Sequence, residues 1–103
     1  MIARLLPSAS EARRDFWLRN YGSLEIELES PELVRAEAPG GVFKFYKGKV
    51  SALTETQRRQ IILAVSQAFG LHPIEVEEDL MNPEQGLPIL AADVEVITTP
   101  TLH

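Results

Sequence analysis

Residues 53 to 70 read Leu53-Thr-Glu-Thr-Gln-Arg-Arg-Gln-Ile-Ile-Leu-Ala-Val-Ser-Gln-Ala-Phe-Gly70, and this stretch predicts the main helix of the chain. Thr54 and Gln57 have the spacing of a capping box, in which each side chain bonds the free backbone amide of the other residue. Gly70 is placed to end the helix in a left-handed conformation. The larger apolar residues recur at helical spacing and share one face, which we expect to pack on a sheet: Ile61, Ile62, Val65, Ala68 and Phe69.

The length and composition of the chain are those of one globular domain. A chain of 103 residues with 45% hydrophobic and 24% charged residues fits a single domain over residues 1–103, with a radius of gyration of about 13 Å. No apolar run reaches the length of a membrane span, and the N-terminal apolar run is too short for a secretory signal, so we expect a cytoplasmic protein without membrane contact. The absence of cysteine excludes disulfides and thiolate metal sites.

A shorter helix is predicted over residues 8–20. Ser8 and Glu11 have capping-box spacing, and Gly22 can end the helix. We expect Trp17, the only tryptophan, to close the edge of the core with its indole N–H in water, and the alternative is a role in partner binding. Trp17 lies beside the apolar residues of this helix, which are Ala9, Ala12 and Phe16.

The middle of the chain predicts strands. From Ser23 onward apolar residues alternate with glutamates, which is typical of a strand with one face in water. Residues 32–38 predict a second strand, although Ser30-Pro31 could also begin a helix. Pro39-Gly40-Gly41 predicts a turn, and residues 42–47 predict a third strand. Because the links are short, we expect an antiparallel meander with the main helix across one face.

The remaining segments have weaker patterns. We expect Gly48 to form a turn or bulge and residues 1–6 to form an arm. Pro73 favours a short helix up to residue 81, with a strand over residues 74–77 as the alternative. After it come a loop over residues 82–88, a strand over 92–97 and an arm over 98–103. The predicted fold class is therefore α+β, with an antiparallel meander, a long amphipathic helix on one face and a shorter N-terminal helix.

Charge is distributed unevenly along the chain. Residues 1–59 hold all ten basic residues and eight acidic ones, a net of +2, whereas residues 60–103 hold seven acidic residues and a net of −7, which together give the total of −5. Such asymmetry indicates either a partner or packing of the acidic half across the basic half, in the same chain or in a second copy.

Motifs for catalysis and cofactor binding fail when their spacing is tested. Six residues rather than four separate Gly41 from Gly48, and Val50 follows Lys49, so the P-loop pattern is absent. No Gly-x-Gly-x-x-Gly or Gly-x-Ser-x-Gly occurs, and we expect His72 to be a turn residue that bonds backbone rather than a general base. The acidic run over residues 75–79 with Glu84 lacks the spacing of a calcium loop. We therefore assign no catalytic, cofactor or metal residues and expect a non-enzymatic protein.

Interaction with other macromolecules is the function that the pattern favours. We expect a small protein–protein interaction or accessory protein that self-associates. The alternative is a nucleic-acid-binding module, because residues 43–49 interleave aromatic and basic side chains that could meet bases and phosphates. We favour the interpretation in which Phe43 and Phe45 lie in the core and Lys44, Lys47 and Lys49 lie in water. A small-molecule-binding domain or an enzyme ranks third. The predicted interaction residues are Trp17, Lys44, Tyr46, Lys47, Lys49, Arg58 and Arg59.

Overall fold

The computed structural model describes residues 1–49, 52–81 and 86–97. Helices and antiparallel strands are both present, which confirms the α+β class, and the radius of gyration is 13.4 Å. In chain order the elements are β1 Ile2–Leu5, α1 Glu11–Tyr21, β2 Glu25–Glu27, β3 Val34–Ala38, β4 Gly41–Gly48, α2 Glu55–Phe69, α3 Pro73–Asp79, β5 Leu87–Leu90, a 3-10 helix Ala91–Asp93 and β6 Val94–Ile97.

Helix α2 begins and ends where the sequence predicts. The Gln57 N–H donates to Thr54 Oγ1 at 3.1 Å and the Thr54 N–H donates to Gln57 Oε1 at 2.9 Å, so the capping box is complete. Gly70 follows with φ of 70°. The prediction is wrong at Ala68, which is exposed because the packed face is narrower than the predicted stripe. The buried residues of α2 are Ile61, Ile62, Val65 and Phe69.

Helix α1 begins later than predicted. Its N-cap is Ser10, whose Oγ accepts the Arg13 N–H at 3.1 Å. The predicted cap at Ser8 is wrong because the chain turns there, with the Ala9 N–H donating to the Leu6 carbonyl at 3.0 Å. Gly22 ends the helix with φ of 73°, as predicted.

The buried face of α1 also differs from the predicted one. Trp17 and Asn20, three residues apart, are its buried residues, whereas Ala12 is exposed and Phe16 is half-buried. Only 3% of Trp17 is exposed, and its ring meets Tyr21 edge-on with centroids 5.1 Å apart. Trp17 is therefore buried within the core instead of closing its edge.

The strands form two three-stranded antiparallel sheets, ordered β2-β1-β6 and β3-β4-β5. The predicted strands are present, with strand rather than helix in β3, and β3 and β4 form the predicted hairpin. Strand β2 pairs with β1 instead of β3, and an isolated bridge from Leu28 to Gly48 joins it to β4. The predicted N-terminal arm is wrong, since β1 is the central strand of its sheet and its partners lie far away in sequence.

Two further predictions are wrong in the region around Gly48 and β5. Gly48 is a buried residue of β4 and pairs with Leu87, so it forms no turn. A Cβ there would lie 2.9 Å from Ile89 Cγ1 and 3.1 Å from Ile26 Cγ2, because the two sheets meet at this point. The predicted loop over 82–88 ends early, since β5 begins at Leu87, and residues 82–85 lie outside the described part of the chain.

The C-terminal half follows the predicted order with different bounds. Helix α3 is present, and the Ile74 N–H donates to His72 Nδ1 at 3.1 Å, so His72 is a backbone-bonded turn residue as predicted. Strand β6 is shorter than the predicted strand over 92–97, because residues 91–93 turn into a 3-10 helix. The predicted arm over 98–103 lies outside the described residues.

Helix α2 lies against the second sheet, as the sequence predicts. The Phe69 ring stacks on Phe43 with centroids 4.1 Å apart and is tilted against Phe45 at 6.1 Å. Phe45 and Phe69 are both buried. The end of α2 thus holds the β3–β4 hairpin in place and determines which side of that hairpin faces outward.

Candidate interaction surfaces

Strand β3 is the edge strand of the second sheet and pairs, within the described residues, only with β4. Its outward face carries two charged side chains, Arg35 and Glu37, with 63% and 75% of the side chains exposed. Arg35 Nη2 lies 3.5 Å from Glu37 Oε1. Across the hairpin, Lys44 and Val42 lie opposite these residues on the same face. An edge strand with its backbone groups open on one side is a template for pairing with another strand.

The aromatic and basic residues of β4 are divided between the two faces of the sheet. Phe43 and Phe45 lie on the face covered by Phe69, so both rings are in contact with the chain itself. Lys44 and Tyr46 lie on the other face, where Lys44 is exposed and Tyr46 is half-buried. Of the aromatic residues proposed to stack on bases, only Tyr46 faces away from Phe69. Nucleic-acid binding stays a prediction. Base stacking on β4 would have to use the Tyr46 ring.

Most of the other predicted cations are paired within the chain. Lys49 Nζ lies 3.4 Å from Glu27 Oε1, Arg58 Nη1 lies 2.9 Å from Glu77 Oε1, and Arg59 Nε lies 3.1 Å from Glu55 Oε1. Lys47 is half-buried and lies in a concavity that Asp79 also lines. Exposed pairs of this kind contribute only about 0–1 kcal/mol each.

Among the described residues, two ion pairs connect the basic and acidic halves of the chain. Besides Arg58 with Glu77, Arg13 Nε lies 3.7 Å from Asp93 Oδ2. These contacts favour the interpretation in which the acidic half packs across the basic half of the same chain. The uneven distribution of charge can therefore be explained without a second copy of the chain.

An apolar concavity of about 390 Å³ lies beside the β3–β4 hairpin. It arises where the corner between β5 and β6 passes the end of β4. Val42, a large apolar residue of its lining, is 54% exposed. Sequence reasoning missed this surface because it assigned residues 89–91 to no element and placed Ala92 at the start of a strand. The lining residues are Val42, Phe43, Lys44, Leu90, Ala91 and Ala92.

Asn20 is a second feature that the sequence analysis missed. Its side chain is buried, with 1% of the residue exposed, and neither Oδ1 nor Nδ2 has a hydrogen-bond partner among the described residues. It lines a cavity of about 220 Å³ at the junction of α1 and α2. The signal was its spacing, since residue 20 is three positions after Trp17 and so shares the buried face of the helix.

Tyr21, next to Asn20, is held in its neutral form. Burial raises the pKa of Tyr21 well above its ordinary value of 10.0; nearby Arg13 lowers this pKa and Asp93 raises it. The unfolded chain releases the Tyr21 proton above about pH 10, while the folded chain retains it. Folding stability linked to Tyr21 is therefore intact below pH 10 and is lost as the pH rises above it.

Tyr21→Phe should remove this part of the alkaline loss of stability. We expect the free energy of unfolding of the unaltered chain to fall between pH 9 and pH 11 by up to about 1.4 kcal/mol per pH unit above pH 10 from this residue alone. The free energy of unfolding of the variant should fall by correspondingly less between pH 9 and pH 11. Urea unfolding at both pH values measures the difference, and equal losses in the two proteins would contradict the assignment.

The acidic run of α3 forms no metal site within the described residues, where no group of three or more histidine, aspartate or glutamate side chains converges. Glu84 lies outside those residues.

Within the part of the chain that the structure describes, no helix combines the length and the apolar character needed to cross a membrane.

Comparison of the chain with protein-family models, with curated proteins and with solved structures gave no match in any of the three. The functional argument therefore rests on the surfaces of the molecule itself.

Proposed function

We propose that this protein is a self-associating interaction protein whose two copies pair through the edges of β3. The observation that supports the proposal is the order of side chains along that edge. Leu33, Arg35, Glu37 and Pro39 alternate with three small or β-branched residues, and all four are exposed. An antiparallel pair of identical strands brings together residues whose numbers sum to a constant, so one register can be tested for complementarity.

The register centred on Ala36 is self-complementary. Arg35 then lies directly opposite Glu37 of the second copy, and symmetry repeats the pair. Opposite charges facing each other across an antiparallel pair stabilise it by about 0.2–1 kcal/mol each, whereas like charges destabilise it. A slip by two residues in either direction sets each charged residue opposite a copy of itself or an apolar residue. The charges thus favour a second copy in one register.

The apolar positions fit the same register. Leu33, 46% exposed, lies opposite Pro39 of the second copy, so an apolar contact closes each end of the paired segment. On the opposite face Val34 meets Ala38 of the second copy and Ala36 meets its own counterpart, where small side chains allow close approach. Pairing would join the two β3-β4-β5 sheets into one six-stranded sheet.

The strands alone would bury less than the roughly 1,000 Å² that a stable interface needs. The apolar concavity beside Val42 lies on the β5 side of β4, so β4 separates it from the paired edge and it adds no surface there. We therefore expect a concentration-dependent dimer rather than an obligate one.

Arg35→Glu should weaken dimerisation. The substitution sets like charges opposite each other twice per dimer, and we expect the dissociation constant to rise about tenfold. Arg35→Glu combined with Glu37→Arg exchanges the charges and should restore dimerisation, because each pair is again of opposite sign. Sedimentation velocity over a range of concentrations, at low and high salt, measures both effects.

The matched control is Arg14→Glu, which makes the same change of net charge from −5 to −7 at an exposed position of α1. It should dimerise as the unaltered chain does. A monomer at every concentration, or equal dimerisation of Arg35→Glu and the control, would contradict the proposal. Loss of the dimer on changing Arg58 and Arg59 to glutamate, with Arg35→Glu unaffected, would move the interface to α2.

A further inference from the structure

A cavity lies between the C-terminal end of α3 and the face of the second sheet that α2 covers. Its volume is about 260 Å³, and its walls come from β3, β4, β5 and the end of α3. Val34, Ala36 and Leu80 are half-buried there, so apolar surface is left open to a small solute. The apolar residues of the lining are Val34, Ala36, Phe45, Leu80 and Pro88.

Two side chains of opposite charge share this cavity. Lys47 lies two residues after Phe45 on β4, and therefore on the same face of the strand, while Asp79 is the last residue of α3. Neither of them forms an ion pair with a described residue, including each other. Lys47 is half-buried and Asp79 is exposed, so neither side chain is sealed off from a solute.

The two charges limit the class of ligand. An anion would leave Asp79 without a counter-ion, a cation would leave Lys47 without one, and an uncharged molecule would displace water from both. Removing water from a charge that has no partner costs free energy. A zwitterion meets no such penalty, because it supplies a carboxylate to Lys47 and an ammonium to Asp79. Charge-assisted hydrogen bonds of this kind are roughly twice as strong as neutral ones.

The size and lining of the cavity limit the ligand further. A volume of about 260 Å³ is below the range of roughly 300–1,000 Å³ usual for drug-sized ligands, and it suits a molecule of the size of an amino acid. The apolar wall suits an aliphatic side chain, whose burial is favourable in proportion to its apolar area. A polar amino acid would gain nothing from this wall.

We propose that this cavity binds a free α-amino acid with an aliphatic side chain, such as leucine or valine. The carboxylate of the ligand accepts from the Lys47 ammonium, its ammonium group donates to the Asp79 carboxylate, and its side chain packs on Phe45 and Leu80. The proposal does not rest on dimerisation through β3, and it can be tested at concentrations at which the chain is a monomer.

Titration of the unaltered chain with L-leucine, followed by backbone amide NMR, tests this site. We expect shifts at the amides of Ala36, Lys47 and Leu80 and a dissociation constant of about 1 mM. Two control ligands each lack one charge: 4-methylpentanoate has no ammonium group and 3-methylbutylamine has no carboxylate. Each should bind at least tenfold more weakly than leucine. Absence of shifts with leucine, or equal binding of either control ligand, would overturn the proposal.

Two substitutions test the assignment of the charged groups. Lys47→Met and Asp79→Asn should each weaken leucine binding at least tenfold, whereas Lys47→Met should not weaken binding of 3-methylbutylamine, which lacks the group that Lys47 binds. The matched controls are Lys44→Met, on the other face of β4, and Glu78→Gln, at an exposed position of α3, and both should bind leucine as the unaltered chain does.

Unchanged leucine binding by a folded Lys47→Met variant would overturn the proposal. An equal loss of binding in Lys47→Met and in its control Lys44→Met would do the same, since it would show an effect of net charge alone. The comparison of leucine with its two control ligands uses the unaltered chain and decides the question even if a variant does not fold.

Discussion

Phe69→Ala should lower the free energy of unfolding by about 3–5 kcal/mol, which is a large part of the 5–15 kcal/mol typical of a whole domain. Phe69 is 1% exposed and stacks on Phe43 at 4.1 Å, so its removal leaves a cavity between α2 and the β3–β4 hairpin. The cost includes both the lost apolar burial and the cavity that remains. Urea unfolding at pH 7 measures this loss, and thermal unfolding should show a fall of more than about 12 °C in melting temperature.

Leu63→Ala is the matched control on the same helix. Leu63 is 53% exposed, so its truncation should change stability by no more than about 0.5 kcal/mol. If the two variants unfold at the same urea concentration, the contact between α2 and the hairpin does not stabilise the fold as the ring stacking indicates.

Gly40→Ala should destabilise the protein by about 1–3 kcal/mol through a steric conflict between backbones. A Cβ at Gly40 would lie 2.8 Å from the Ala68 carbonyl oxygen and 2.9 Å from the carbonyl carbon of Phe69. The Gly40 N–H also donates to the Phe69 carbonyl at 2.8 Å. Because these are backbone atoms at the end of α2, they cannot move aside as a side chain would, and the turn must separate from the helix.

Hydrogen exchange and urea unfolding together measure this effect. In Gly40→Ala the amide of residue 40 should exchange faster, and the midpoint of unfolding should fall. Val42→Ala serves as the control, since Val42 is on the same hairpin but is 54% exposed. A variant at Gly40 with unchanged midpoint and unchanged exchange would show that the turn does not rest against the helix end.

Local patterns were sufficient for the elements whose signals lie within a few residues. The capping box at Thr54 and Gln57, the alternation in β2 and the turn at residues 39–40 are short-range interactions, and the structure has them as predicted. The cap of α1 was misplaced because Ser8 and Ser10 both offer a hydroxyl, and the turn after β1 determines which of them is used.

Of the proposed surfaces, the sequence indicated only part. It predicted β3 as a strand inside a meander, with a neighbour on each side. The exposed side chains of Arg35 and Glu37 indicated an interface only once the structure showed that β3 is an edge strand. Lys47 and Asp79 were not predicted to share a cavity, because their proximity depends on how α3 packs on the second sheet.

By itself, the sequence determined that the chain forms an α+β domain with a long capped helix packed on an antiparallel hairpin, because helical periodicity, strand alternation and capping are local. Only the tertiary structure decided that β1 is a central strand between β2 and β6, that Gly48 stays in a strand, and that Phe43 and Phe45 face Phe69. Those features depend on contacts between residues distant in the chain. Pairing of this kind is selected by burial and register across the whole domain, which no single stretch encodes.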